Sequence, residues 1–181
     1  LAFNRNKEIS EFFRLELPEI SGVERAFLKE CRLISKEMEK GGANRAVYVS
    51  PDFKAAVMVN EEDHLRMQCI EPGLQISKVH EHLTKLDEEI AKVVGYSFSE
   101  RFGYLTACPT NVGTGLRASV MMHLPGLMMR REIESALQGL PNYGLTVRGF
   151  HGENSENLGD FFQISNEVTL GKSVEEIEEI L

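Results

Sequence analysis

The chain is poor in cysteine. It has three in 181 residues, Cys31, Cys69 and Cys108, widely spaced. That odd, scattered set excludes a disulfide scaffold, and no CxxC or Cys/His cluster marks a zinc module. The thiols are expected to be reduced, in a cytoplasmic protein. Long apolar runs are also missing; none approaches the ~18 residues of a spanning helix. The opening LAFNRNKEIS has no long apolar core behind a basic start, so it does not read as a signal peptide. Repeats, low-complexity tracts and linkers are absent. Positive charge is the scarcer sign: Lys plus Arg is 20 against 28 Asp plus Glu, a net charge of -8. This disfavours a nucleic-acid partner held by general electrostatics but leaves room for local basic sites. What is present, 42% hydrophobic and 27% charged residues, suits one folded domain.

The periodicity changes along the chain. Residues 1–17 read as an amphipathic helix around Ile9, Phe12 and Phe13, and a second helix is expected over 23–38, closed by Gly41 and Gly42. Short Val- and Ala-rich stretches at 46–49, 54–60 and 65–70, joined by turn residues, read as antiparallel strands. Ile76, Val79, Leu83, Leu86, Ile90 and Val93 recur at helical spacing. Further strands are expected over 104–107, 116–124, 143–150 and 161–165, with helices over 127–139 and from 173. The expected fold is α+β, an antiparallel β-sheet with flanking helices placed on one side.

Three polar segments carry chemistry. NEEDHLR, Asn60–Arg66, follows an apolar strand; if extended, it puts Glu62, His64 and Arg66 on one face. Its bland reading is a charged hairpin tip. CPTNVGTGLR, Cys108–Arg117, joins a thiol to glycines that allow close backbone approach to a ligand. It lacks the spacing and lysine of a P-loop; the bland reading is a surface loop and a buried, packing thiol. VRGFHGENSE, Val147–Glu156, sets Arg148 and Glu153 around a Gly-rich loop. Together the residue types form a chemical set. Glu62 and Glu153 can grip a planar guanidinium. Cys108 beside such a cation would act as a thiolate. Arg66, Arg117 and Arg148 can hold an ATP phosphate chain. A carboxylate base must remove a guanidinium proton as the phosphoryl group arrives.

These three motifs, in this order, resemble those of the ATP:guanido phosphotransferases, the family of arginine and creatine kinases. The resemblance spans roughly residues 45–172 and is nearest the bacterial protein-arginine kinase branch, on GYLTACPTNVGTGLRASVMMHLPGL, GLTVRGFHGENSENLGDFFQISN and TLGKS. It implies a guanido-kinase catalytic domain that phosphorylates arginine side chains of proteins with ATP and Mg²⁺. It implies that Glu62 is substrate carboxylate and base, Glu153 the second carboxylate, and Cys108 the thiol beside the guanidinium. Arg66, Arg117 and Arg148 become the nucleotide-phosphate ligands; His64 either contacts nucleotide or orients Glu62. Where small-substrate enzymes carry His and Asp, this chain has Met121 and Gln163. Both differences favour the protein-arginine branch.

The resemblance also implies an incomplete domain at 1–181, lacking the first arginine-bearing strand and a C-terminal helical region. Its implied partners are proteins with exposed arginine, an activator protein and an ATP-dependent protease in stress response. It further implies a homodimer in the longer form, and neither nucleic acid nor membrane. The alternatives are a kinase for free arginine or another phosphagen, and a non-catalytic module that binds arginine or phosphoarginine. His80, His82 and His123 read as flank or structural residues. Cys31, Cys69 and the methionines Met121, Met122, Met128 and Met129 read as packing.

Overall fold

The computed structural model describes residues 9–148 and 159–181. The chain divides into two compact units, Leu1–Tyr96 and Ser97–Leu181. The α+β expectation holds: antiparallel sheets with flanking helices.

The first unit is built on β1 (Phe13–Glu16), β2 (Ala46–Val49), β3 (Ala55–Val59) and β4 (Leu65–Cys69), hydrogen-bonded in that order, all antiparallel. Its helices are α1 (Gly22–Glu30), α2 (Lys36–Glu39) and α3 (Ile76–Ala91). Side chains alternate along each strand, and both faces of β2 and β3 are covered. Val47, Val49, Ala56 and Met58 pack with Leu28, Leu33, Ile34 and Met38 from the α1–α2 region. Tyr48 and Val57 face the other way, with Leu86 and Ile90 of α3. Helices therefore lie on both faces of this sheet, not on one side. The sequence sign is that AVYV and AAVMV run apolar without alternation, as strands buried on both faces do.

Two helical expectations change. Ile9–Glu11 forms a single 3-10 turn, and Phe13–Glu16 is a strand paired with β2 from Phe13↔Val49 to Glu16↔Ala46. Ladder bonds along β2 outweigh the local helical spacing. The helix over 23–38 breaks after α1, where Arg32 adopts φ 59°. Both pieces start on a serine: Ser21 Oγ accepts from Glu24 N at 3.2 Å, and Ser35 Oγ from Met38 N at 3.2 Å.

The second unit holds a small hairpin, β5 (Phe98–Ser99) with β6 (Gly103–Tyr104), and a three-stranded sheet. That sheet contains β7 (Ser119–His123), β8 (Leu145–Arg148) and β9 (Phe161–Asn166), in the order β7-β9-β8, all antiparallel. Helices α4 (Pro125–Arg130) and α5 (Ile133–Leu137) link β7 to β8, and α6 (Val174–Glu179) follows β9. The expected helix over 127–139 is split where Arg131 turns left-handed at φ 58°. The strand expected over 104–107 is confined to β6. Among the described residues, no helix is long and apolar enough to cross a membrane.

Candidate active site

The first motif is the connection between β3 and β4. The strands end in the pairs Val59↔Leu65 and Met58↔Arg66, and Asn60 N donates to His64 O at 3.0 Å to close the turn. Asn60 sits at φ 57°, a conformation asparagine tolerates better than most residues. Residues 60–64 are bends, so the extended face shared by Glu62, His64 and Arg66 does not form; β4 starts at Leu65. The hairpin-tip reading describes the backbone, and the side chains expected to act stand on that tip. Glu62 and His64 are exposed.

The loop is fixed from beneath by Arg45. Its Nε donates to Asn60 O at 3.0 Å, and its Nη1 to Glu37 O at 2.7 Å. Asn60 Nδ2 adds a bond to Asn44 O at 2.7 Å. Sequence reasoning passed over Glu61. Its side chain is only 4% exposed, and Oε1 accepts from Arg66 Nη1 at 3.2 Å. Oε2 accepts from the backbone N–H of Glu62 at 2.8 Å. One buried carboxylate thus ties together the two residues expected to meet guanidinium and phosphate. Nothing in the run Glu61-Glu62-Asp63 separates the buried carboxylate from its exposed neighbours.

The second motif is a clasped loop in the second unit. Cys108 precedes a 3-10 turn at Pro109–Asn111, and its carbonyl accepts from Asn111 N at 3.0 Å and Thr106 Oγ1 at 2.7 Å. Its half-buried thiol lies 3.0 Å from Thr110 Oγ1. Two buried polar residues after β9's apolar core hold the loop in place. The Thr169 hydroxyl lies 2.9 and 2.7 Å from the carbonyls of Thr110 and Val112. Asn166 Oδ1 accepts from Ala118 N at 2.8 Å, while Nδ2 donates to Leu116 O and Val168 O at 3.1 and 3.2 Å. Arg117, exposed, therefore sits between two backbone anchors.

Gly113 has a different purpose from the one expected of it. At φ 114°, a Cβ there would lie 2.5 Å from Thr169 O. Close approach is to the protein's own backbone: Tyr104 N donates to Gly113 O at 2.8 Å on one side, and Thr169 lies on the other. Arg148 ends β8 opposite Gln163, and Gln163 in turn stands opposite Met121. Met121 and Gln163, the two positions expected to differ from small-substrate enzymes, are thus cross-strand partners. Glu153 lies outside the described residues.

His123, read as structural, stacks on Phe161 at 4.5 Å between centroids. Cys69 is half-buried, 3.8 Å from His82 Nδ1; burial and then Glu71 push its thiol pKa up, which suits packing rather than nucleophilic work. Met129 departs from its packing role, being 86% exposed.

The first unit carries an exposed carboxylate and an arginine on a braced hairpin tip, and the second carries a thiol and an exposed arginine on a clasped loop. The chain belongs to the ATP:guanido phosphotransferase family, whose C-terminal catalytic domain matches residues 2–181. It is 50% identical over 176 residues to the protein-arginine kinase of Pelotomaculum thermopropionicum, covering 95% of this chain and 49% of that protein. It is 48% identical over 170 residues to that of Geobacillus stearothermophilus, covering 94% and 47%. The chain spans about half the length of these curated relatives. Among solved structures, it is similar to the duplicated taurocyamine kinase of Schistosoma mansoni with bound transition-state analogue components. That likeness has a TM-score of 0.85 and 26% identity over 99% of this chain and 27% of that one. A lombricine kinase gives a TM-score of 0.80 and 26% identity, over 99% and 53%.

Proposed function

We propose that this chain is the catalytic portion of an ATP-dependent kinase that phosphorylates arginine side chains in proteins. The observation that carries the reading is the Asn60–Arg66 hairpin. It presents a carboxylate fit for a guanidinium and, four residues on, an arginine fit for a phosphate, both tied to one buried carboxylate. The choice of protein arginine over a free guanidine draws on the named activity of the relatives that are about half identical.

In this reading Glu62 aligns the substrate guanidinium and accepts its proton. The nitrogen forms a bond to the γ-phosphorus of ATP, the bond from that phosphorus to the bridging oxygen breaks, and ADP leaves. Arg66, Arg117 and Arg148 hold the phosphate oxygens and their developing charge. Guanidinium forks suit a polyphosphate, so this donor set fits ATP. Mg²⁺ would enter with ATP, held mostly by nucleotide oxygens and water, and would offset part of the phosphate charge. By the family resemblance, Cys108 takes the role of the substrate-side thiol and Glu153 that of the second substrate carboxylate. His64 contacts nucleotide or orients Glu62. Protein substrates, an activator protein, an ATP-dependent protease, homodimer formation and a cytoplasmic, stress-response setting complete the proposal.

The test supplies the full-length protein with ATP and either an arginine-rich protein or free arginine. Acid-labile phosphate on the protein is expected. Product on free arginine alone would instead establish the phosphagen-kinase reading, which the fold likeness to taurocyamine and lombricine kinases favours. Nucleotide binding with neither product would establish the non-catalytic module.

A further inference from the structure

Glu61 is neither at the surface nor in the core: it is a carboxylate at 4% exposure beneath a loop of exposed charges. A charge so placed is costly unless both oxygens find donors. They do, and the two donors are Arg66 Nη1 and the N–H of Glu62. The backbone under Glu61 is separately fixed: Arg45 holds Asn60 O, Asn44 O holds the Asn60 amide, and Asn60 N closes onto His64 O. The loop is therefore a rigid base, and the Glu61 carboxylate is the bridge from that base to two groups with different tasks. Arg66 is half exposed, and a long side chain left to itself would sample many rotamers.

We propose that Glu61 is a positioning residue for phosphoryl transfer. It aims the Arg66 guanidinium at the phosphate chain and pins the backbone that presents Glu62 to the substrate. This rests on the roles given above to Glu62 and Arg66.

The chemistry of the bridge yields an unusual mutational order. Both partners are donors, so both Glu61 oxygens must accept. Glu61→Gln keeps the shape but offers one acceptor, so one of the two bonds becomes donor against donor. Glu61→Asp is a methylene shorter but keeps two accepting oxygens. A residue that merely fills space would tolerate the nearly isosteric Gln better. The positioning role predicts the reverse.

In the full-length protein, Glu61→Gln should lower kcat/KM for phosphoryl transfer roughly a hundredfold, the scale of a misplaced reacting group, and Glu61→Asp by about tenfold or less. Part of the Gln loss should appear as a raised KM for ATP, through Arg66, and part as a lowered kcat, through Glu62. In a double-mutant cycle with Arg66→Ala, the losses in ATP affinity should be strongly non-additive. Gln tolerated as well as Asp, or additive losses with Arg66→Ala, overturns the proposal. If the Gln variant does not fold, the same cycle run on Glu61→Asp decides by the same criterion. Glu62→Gln is assayed alongside. If it retains full transfer, the guanidine reading of the hairpin fails. If it is inactive while Glu61→Gln matches the parent, the positioning role alone fails.

Discussion

At the scale of single residues, arginine is divided between two kinds of work. Arg25 and Arg45 are spent on backbone: Arg25 Nη1 donates to Ile20 O at 2.7 Å and Arg45 Nη1 to Glu37 O at 2.7 Å. Arg66 is held by a carboxylate and Arg117 is exposed on an anchored loop. Sequence alone could not separate these, because spacing does not say which guanidiniums meet carbonyls. It did single out Arg66, Arg117 and Arg148 through motif context, and it missed Glu61 because an acidic run reads as solvated. Glu62→Gln should abolish transfer and leave ATP affinity nearly unchanged by nucleotide titration; a large loss of affinity would remove it from the role of substrate base. Cys108→Ser should cut turnover sharply in steady-state assays; unchanged kinetics would return the thiol to packing.

At the scale of elements, the clasp around residues 108–118 depends on Asn166, Thr169 and Gly113. Asn166 is 1% exposed and meets one backbone donor and two backbone acceptors. Asn166→Ala should cost about 1–3 kcal/mol for each buried backbone group it orphans. The lowered urea midpoint would report this, at an unchanged slope. Gly113→Ala should be worse tolerated than Gly115→Ala. The first places a Cβ 2.5 Å from Thr169 O; the second meets nothing closer than 3.8 Å, although both glycines have positive φ. Thermal melts of the two variants give the order, and equal midpoints would refute the close approach.

Strands β2, β3, β4, β7, β8 and β9 and helix α3 were legible in the sequence, because burial and period agree there. β1 was not, because its pairing with β2 is non-local and four residues carry no period of their own. The breaks at Arg32 and Arg131 were illegible for another reason: arginine gives no warning of a left-handed turn.

At the scale of the whole molecule, a net charge of -8 masks local pairing. Glu71, 4% exposed, sits between Lys54 Nζ at 3.0 Å and Lys78 Nζ at 3.2 Å. Hydrogen bonds from these lysines hold its pKa below the usual glutamate value. Seryl and lysyl partners likewise lower Asp52, Glu37, Glu24 and Glu81. A depressed carboxylate pKa adds stability above the unfolded-state value, and that stability is lost as pH falls through the folded one. Unfolding free energy should therefore decline below the ordinary carboxylate range. Glu71→Gln should flatten that decline, measured by urea titrations across the acid limb. An equally steep limb in the variant would show that the lysine pair contributes nothing.

The proposed transfer of a phosphoryl group from ATP to arginine side chains in proteins is tested by the mass of the product after full-length protein meets ATP and an arginine-bearing protein, with phosphate assigned to residues by fragmentation. Phosphate on arginine side chains, absent with Glu62→Gln, is the expected result. Phosphate confined to other residue types, or undiminished with Glu62→Gln, would contradict it.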